Sequence, residues 1–137
     1  MRDRIYITET DHDDLRRLVA VRRGGDGDTE NLRQLEEELD RAEIVDHRQT
    51  IPPDVITMNS EVRLMDMDSG DIKVYKLVFP IQVRTDHTLS VLAPIGTAIL
   101  GYRSGDVIEW RVPRGIRRLK VLDVLFQPEA AGTPSAA

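Results

Sequence analysis

The stretch LSVLAPIGTAILGYRSGD, residues 89–106, changes its pattern several times and decides how the rest of the chain is read. It begins with the alternation of a strand, breaks at Pro94, continues through the short apolar helix-like piece PIGTAILGY (94–102), and stops at Gly105 and Asp106. Such a stretch is either a corner inside a small core or a surface that holds a partner. The segments on both sides have to be read before one is chosen.

Alternating segments flank this stretch, and their period of two predicts strands. The segments are SEVRLMDM (60–67), IKVYKLVFP (72–80), LSVLA (89–93), DVIEWRVP (106–113) and RRLKVLDVLFQP (117–128). Turn residues at 68–71 and 113–115 join neighbouring segments tightly, which predicts an antiparallel sheet with one short helix. Phe79 and Trp110 are interpreted as core residues of that sheet.

The first helix is predicted to begin after Thr10, whose hydroxyl suits the N-cap position. Asp11, Asp13 and Asp14 then lie in the first turn, where the helix dipole favours negative charge. Leu15, Leu18 and Val19 form the apolar stripe of this helix, which ends at Gly24 and Gly25.

A second helix follows, with its apolar residues at a 3-4-3 spacing that is typical of a two-helix seam. These residues are Leu32, Leu35, Leu39 and Ala42. Because a short turn joins the two helices, residues 11–46 are predicted to form a short antiparallel coiled-coil hairpin. The prolines of TIPPD (50–54) mark a boundary, so we expect a hairpin over 1–50, an α+β globule over 51–128 and a flexible tail over 129–137.

Composition narrows the function classes. Residues 1–50 carry nine Arg, no Lys and fourteen Asp or Glu, which accounts for the net charge of −5, whereas the rest is neutral. This balance argues against sequence-specific binding of nucleic acid, which needs clustered positive charge. There is no cysteine, no apolar signal core and no run long enough to cross a membrane, so we expect a cytoplasmic protein.

No catalytic motif is recognised, and we predict a protein that is not an enzyme and has no cofactor, metal site or catalytic residue. His12, His47 and His87 lie in three separate segments without a partner at ligand spacing. At the hairpin tip, Asp26, Asp28 and Glu30 have two interpretations: turn and capping residues, or carboxylates that share a divalent cation with a partner.

The stretch at 89–106 resembles the C-terminal signature of the Gre transcript-cleavage factors of bacterial RNA polymerase. The blocks DVITMNSEVRL, YKLVFP, LSVLAPIGTAILG and FQPEAAG, together with LEEELDRAEIV at 35–45, resemble in order the family called regulator of nucleoside diphosphate kinase, Rnk. The resemblance implies an FKBP-like C-terminal domain that docks at the secondary-channel rim of RNA polymerase as a monomer, with the hairpin pointing into the channel.

The resemblance also places the polymerase contact on the loop and short helix of that stretch. The residues are Pro94, Ile95, Gly96, Thr97, Ala98 and Leu100, with Ser90 and Ala93 as weaker candidates. A bulky charge at Ile95 or Thr97 is therefore expected to abolish polymerase binding while leaving thermal stability nearly intact. In the same interpretation, Leu100 and one of Ile95 or Ile99 also face the domain's own core.

The chain departs from the Gre pattern at the hairpin. Its helices are short, and its tip acids do not match the Gre spacing, so the cleavage role is not transferred. The hypothesis is a factor that competes with Gre-type factors without cleaving transcripts. The alternatives are an adaptor that regulates nucleoside diphosphate kinase through another partner, and a prolyl isomerase. The last needs a pocket with several aromatic residues, and this chain has only six in total.

Overall fold

The computed structural model describes residues 5–22, 29–46, 51–84, 87–112 and 115–130. Helices and strands follow the α+β plan predicted from the sequence. In chain order the elements are β1 (Tyr6–Thr8), α1 (Glu9–Arg22), α2 (Thr29–Arg41), β2 (Glu43–Val45), β3 (Glu61–Asp66), β4 (Ile72–Val78), a 3₁₀ turn (Pro80–Gln82), β5 (Thr88–Ser90), α3 (Pro94–Ile99), β6 (Val107–Val112) and β7 (Gly115–Phe126).

The main sheet has five strands in the order β5-β4-β3-β7-β6. Its neighbours are antiparallel except β4 and β5, which run parallel with Leu77 opposite Leu89. The prediction of a wholly antiparallel sheet is therefore wrong. The cause is the connection from β4 to β5, which is a longer path through the 3₁₀ turn instead of a tight hairpin, so the chain returns in the same direction.

A second sheet of two short parallel strands was not expected from the sequence. In it β1 pairs with β2, with Ile7 opposite Ile44. Because β1 leads directly into α1, the helix begins at Glu9, and the capping residue lies closer to the N-terminus than predicted. The hydroxyl oxygen of Thr8, not that of Thr10, accepts a hydrogen bond from the Asp11 amide at 3.2 Å.

The two long helices pack against each other and against the sheet. The middle of α1 lies beside the C-terminal end of α2, where Arg16 pairs with Asp40 at 2.5 Å. Of the predicted seam residues, Leu35 and Leu39 are fully buried in α2 and Leu32 is half-buried, while Ala42 is half-buried just after the helix ends at Arg41. Residues of the helices and of the sheet belong to the same hydrophobic core cluster. The domain boundary near residue 50 stays a prediction from the sequence.

Two core predictions have different outcomes. Phe79 is half-buried and packs against the core, as expected. Trp110 lies in β6, but its side chain is outside what the structure describes.

At the C-terminus, Gln127 donates hydrogen bonds to the carbonyl oxygens of Pro52 and Val55, and Glu129 accepts one from Thr57 at 2.7 Å. Glu129, the first residue of the predicted flexible tail, is therefore in contact with the globule. Residues 131–137 lie outside the described part, and the tail stays a prediction. Within the described residues, no helix has the length and apolar character needed to cross a membrane.

Candidate functional site

Helix α3 lies at the centre of the stretch that the sequence singled out. The chain leaves β5, passes Ala93 in an extended conformation, and enters the helix at Pro94, whose fixed φ suits the first helical position. Ser90 and Ala93, the weaker candidates, are half-buried. The Ser90 hydroxyl accepts the Leu92 amide at 3.0 Å, which stabilises the turn before the helix.

One side of α3 is packed very closely against the preceding chain. The Thr97 hydroxyl donates a hydrogen bond to the carbonyl oxygen of Val91 at 2.6 Å. A methyl group on Gly96 would lie 2.0 Å from the carbonyl oxygen of Ser90, so only glycine fits there. Together with the fully buried Ile99, these contacts hold the helix in a fixed position.

This packing limits which predicted contact residues can touch a partner. Thr97, Ala98 and Leu100 are at most 3% exposed, and Gly96 is buried as well. The expectation that a charge at Thr97 would leave stability intact is wrong, because the side chain is buried and hydrogen-bonded. Of the six predicted contact residues, Pro94 is exposed and Ile95 is half-buried, so these two are the ones at the surface.

Ile95 faces a cleft of about 280 Å³ between α3 and the main sheet, which we call the α3 cleft. Leu64, Leu119 and Tyr75 supply apolar surface from three strands. Tyr75 is the single aromatic residue among the described residues that line it. Among its described residues the α3 cleft therefore lacks the several aromatic side chains that a prolyl isomerase pocket needs.

Charged side chains stand on the rim of the α3 cleft: Asp66, Asp71, Lys73 and Arg117. Asp66 accepts hydrogen bonds from the backbone amides of Asp68 and Ser69 and pairs with Arg117. These interactions, led by the Asp68 amide, hold the pKa of the Asp66 carboxyl below its usual range. Asp66 is therefore a fixed negative charge at neutral pH.

The end of the sequence stretch is a structural turn. The carboxylate of Asp106 accepts the Arg103 amide at 2.8 Å, and Arg103 pairs with Asp54 at 2.9 Å. The hydrogen bond to Asp54 raises the pKa of the Arg103 guanidinium, which stays charged. Gly101 has a φ of 84° and lies against Ile5, which ties this turn to the N-terminal segment. Residues 101–106 therefore position α3 rather than extend its surface.

Asp11 is a second unusual group. It lies in the first turn of α1, as the sequence predicted, but its side chain is only 2% exposed. Its Oδ2 accepts a hydrogen bond from the Met58 amide at 3.1 Å, so it joins α1 to the loop before β3. Burial, with smaller contributions from the negative charges of Glu129 and Asp14, raises the pKa of Asp11 to about 7.

Asp13 and Asp14 lie beyond the first turn, contrary to the prediction, because α1 already begins at Glu9. Asp13 is exposed, and Asp14 is half-buried and pairs with Arg17 at 2.9 Å.

The other candidate residues are not brought together. The Nε2 atom of His12 lies 3.2 Å from the carbonyl oxygen of Leu39, His87 is exposed, and His47 is outside the described residues. Across residues 5–22, 29–46, 51–84, 87–112 and 115–130, no three His, Asp or Glu side chains could share a metal ion. At the tip, Asp26 and Asp28 lie outside the described residues, and only the place of Glu30 in the first turn of α2 is described.

Comparison with known families covers most of the chain. The family model "Transcription elongation factor, GreA/GreB, C-term" matches residues 51–126, which contain the α3 cleft. A second model, "Rnk N-terminus", matches residues 3–45. Regulator of nucleoside diphosphate kinase from Escherichia coli K12 is 45% identical over 100 residues, which are 72% of this chain and 73% of that protein. The chain belongs to the Rnk family.

More distant relatives carry the Gre name. Transcription elongation factor GreA of Clostridium botulinum is 33% identical over 92 residues, covering 66% of this chain and 57% of that protein. A solved structure titled prokaryotic transcription elongation factor GreA/GreB from Nitrosomonas europaea is 38% identical, with a TM-score of 0.73 over 90% of this chain and 100% of that one. The Rnk chain thus has a Gre-like α+β fold.

The lining of the α3 cleft and the burial of Asp11 involve residues that the sequence analysis did not single out as contact residues. Asp66, Lys73, Tyr75 and Arg117 lie within the matched C-terminal region, and Asp11 lies within the Rnk N-terminus. None of them belongs to the stretch at 89–106. The one signal in the sequence is that Lys73 and Tyr75 alternate in β4, as residues on one face of a strand do.

Proposed function

We propose that this Rnk family protein binds bacterial RNA polymerase at the rim of the secondary channel and competes there with Gre-type factors without cleaving transcripts. The proposal rests on one observation. Residues 51–126, which match the GreA/GreB C-terminal family model, include the closely packed helix α3, and Pro94 and Ile95 at the start of that helix lie at the surface. In this proposal the C-terminal domain is FKBP-like and the N-terminal helices form a short antiparallel coiled coil. The protein is a monomer and is located in the cytoplasm, where the polymerase is.

The α3 surface suits a protein partner for a physical reason. Pro94 and Ile95 are presented on a helix that is already fixed by Gly96 and Thr97, so binding requires little further ordering. Ile95 adds apolar surface beside the charged rim of the α3 cleft. An apolar centre with a polar rim is the usual composition of a protein interface. In this proposal the buried residues Ala98 and Leu100 do not touch the polymerase themselves; they anchor α3 in the hydrophobic core.

The first prediction concerns Ile95. We expect Ile95→Glu to weaken binding to core RNA polymerase by about tenfold or more, because a charge would replace the apolar centre of the contact. Binding is measured by anisotropy of the labelled full chain titrated with core polymerase.

Val107→Glu is the matched control for that experiment. Val107 is 48% exposed on β6 and pairs with Lys120, so a glutamate there is tolerated. Val107→Glu is expected to keep the thermal midpoint of the wild type, whereas Ile95→Glu is expected to lower it without unfolding the chain, because the half-buried Ile95 packs against the core. If Ile95→Glu binds as tightly as Val107→Glu, the α3 contact is refuted; Ile95→Ser serves as the milder variant if the glutamate reduces stability.

The second prediction concerns transcript cleavage. Helices α1 and α2 have 14 and 13 residues, or about 20 Å each at 1.5 Å per residue, which is short for a probe of the active centre. We therefore expect no RNA release when the purified chain is added to stalled elongation complexes. A Gre factor is the positive control, and robust cleavage by the chain would contradict the proposal of a factor that does not cleave transcripts; alanine variants of the tip acids Asp26, Asp28 and Glu30 would then test their part in it.

The name of the Escherichia coli relative favours a second candidate, an adaptor that acts on nucleoside diphosphate kinase. The two candidates predict different partners for the same tagged chain. Co-purification with core polymerase supports the first candidate, and co-purification with the kinase in the absence of polymerase supports the second. Ile95→Glu is expected to remove the polymerase and to leave any kinase unaffected.

A further inference from the structure

A second groove lies between the C-terminal half of α1 and the 3₁₀ turn after β4, and we call it the α1 groove. It has a volume of about 560 Å³ and shares no lining residue with the α3 cleft. A volume of this size accommodates several side chains of a partner. The α1 groove is therefore separate from the polymerase contact proposed above.

The walls of the α1 groove carry unusually exposed apolar side chains. Val21 on α1 is 78% exposed, and Ile81 on the 3₁₀ turn is 86% exposed. Between them, Leu18 and Phe79 form a floor that packs on the hydrophobic core. A contiguous apolar surface of this kind, bordered by polar residues, is typical of a protein-binding site.

Ile81 is held in its exposed position by a rigid turn. The Gln82 side chain accepts the Phe79 amide at 3.2 Å, and the Gln82 amide donates to the Phe79 carbonyl oxygen at 2.9 Å. Pro80 fixes the backbone at the first position of the turn. The turn therefore presents Ile81 in a fixed position, so a partner can bind this side chain without first ordering the chain.

The charges on the rim indicate the chemistry of the occupant. Among the described residues, Arg17 and Arg22 border the α1 groove, and the one carboxylate, Asp14, is paired with Arg17 at 2.9 Å. The described lining thus carries one more positive than negative charge, in a chain whose net charge is −5. Charge complementarity favours a partner with carboxylates beside its apolar side chains.

We propose that the α1 groove docks a segment of another protein that presents apolar side chains next to Asp or Glu. A second copy of this chain does not supply such a segment from its described acidic helix, because Leu35 and Leu39 of α2 are already buried. The occupant contacts Val21 and Ile81 with its apolar side chains, and its carboxylates approach Arg17 and Arg22.

The test uses the immobilised full chain and a phage library of random dodecapeptides. We expect the enriched peptides to combine large apolar residues with Asp or Glu. As synthetic peptides, they are expected to bind about tenfold more weakly to Ile81→Glu and to Arg17→Glu/Arg22→Glu, because the first variant repels their acids and the second reverses the charge of the rim. Ile81→Ser is a milder second variant, and thermal unfolding confirms that each variant is folded.

Val107→Glu and Ile95→Glu are the controls, and both are expected to bind the peptides as the wild type does. Loss of binding in Ile95→Glu would place the peptides at the α3 cleft and overturn the assignment, independently of whether polymerase docks there. Basic peptides, no enrichment, or equal binding to Ile81→Glu would also overturn it. The remaining alternative is that a second copy of this chain occupies the α1 groove, and analytical sedimentation of the free chain tests it. A dimer that Ile81→Glu dissociates would identify a second copy as the occupant and overturn the proposal.

Discussion

Replacing Asp11 with asparagine is expected to raise the free energy of unfolding at mildly alkaline pH by about 2–4 kcal/mol. The pKa of this carboxyl moves from 3.8 to about 7 on folding, and each unit corresponds to about 1.4 kcal/mol. At alkaline pH the wild type must hold a buried carboxylate beside Glu129, whereas asparagine is neutral. The asparagine side-chain oxygen can still accept the Met58 amide, so the contact between α1 and the loop is kept.

The sign of the pH dependence follows from the same values. Between pH 3.8 and about 7 the folded state binds a proton that the unfolded chain has released. The stabilising contribution of Asp11 is therefore full below about pH 4 and is lost as the pH rises through about 7. Carboxyls with a lowered pKa, such as Asp66, act in the opposite direction, so the informative quantity is the difference between variant and wild type at each pH.

Urea unfolding of both proteins across this pH range measures that difference. It is expected to grow in favour of Asp11→Asn as the pH rises and to level off above about pH 7–8, beyond the folded pKa. Asp13→Asn, at an exposed position of the same helix, is the control and is expected to show no such trend. A difference that is constant with pH would show that the Asp11 carboxyl does not change its ionisation on folding.

Replacing Gly96 with alanine is expected to destabilise the chain by about 3 kcal/mol or more, at the upper end of what overpacking causes. The added methyl group would lie 2.0 Å from the carbonyl oxygen of Ser90 and 3.0 Å from the Cα atom of Val91, both of which are backbone atoms. Relief requires α3 to move away from β5, which breaks the hydrogen bond from Thr97 to Val91.

Gly105→Ala is the matched control. Gly105 has a φ of 92°, and a methyl group there would meet no atom within 4 Å, so only the backbone penalty of about 1–2 kcal/mol applies. Chemical denaturation gives the free energy of unfolding of both variants. The loss in Gly96→Ala reports the close packing of α3, and the loss in Gly105→Ala reports backbone strain alone. If Gly96→Ala is no less stable than Gly105→Ala, α3 is not fixed against the chain as described, and the rigid presentation of Pro94 and Ile95 is lost with it.

The sequence predicted the elements whose signal is local. Alternation over six or seven residues identified β3 and β4, and the turn between them was evident from DSGD. The spacing of Leu35 and Leu39 likewise predicted the buried side of α2. The strands β1 and β2 have three residues each, which is too few for a period. A strand was predicted at 89–93, but β5 is Thr88–Ser90, and its parallel pairing with β4 depends on a distant part of the chain.

The candidate site was predicted only in part, for a related reason. Nearly every residue of α3 is apolar or small, so periodicity could not tell that Thr97 and Ala98 are buried while Pro94 is exposed. Asp11 is a usual residue for a first helical turn, and its burial results from contact with Met58, 47 residues away. The residues of the α3 cleft come from several strands and α3, and only the folded chain brings them together.

Displacement of a labelled Gre factor from core RNA polymerase is the most direct test of the proposed function. We expect the unlabelled full chain to displace it in a concentration-dependent manner and Ile95→Glu to require about ten times more protein, while Val107→Glu behaves as the wild type. The account is contradicted if the Gre factor stays bound at saturating concentrations of the chain, because the two would then not share the secondary-channel rim.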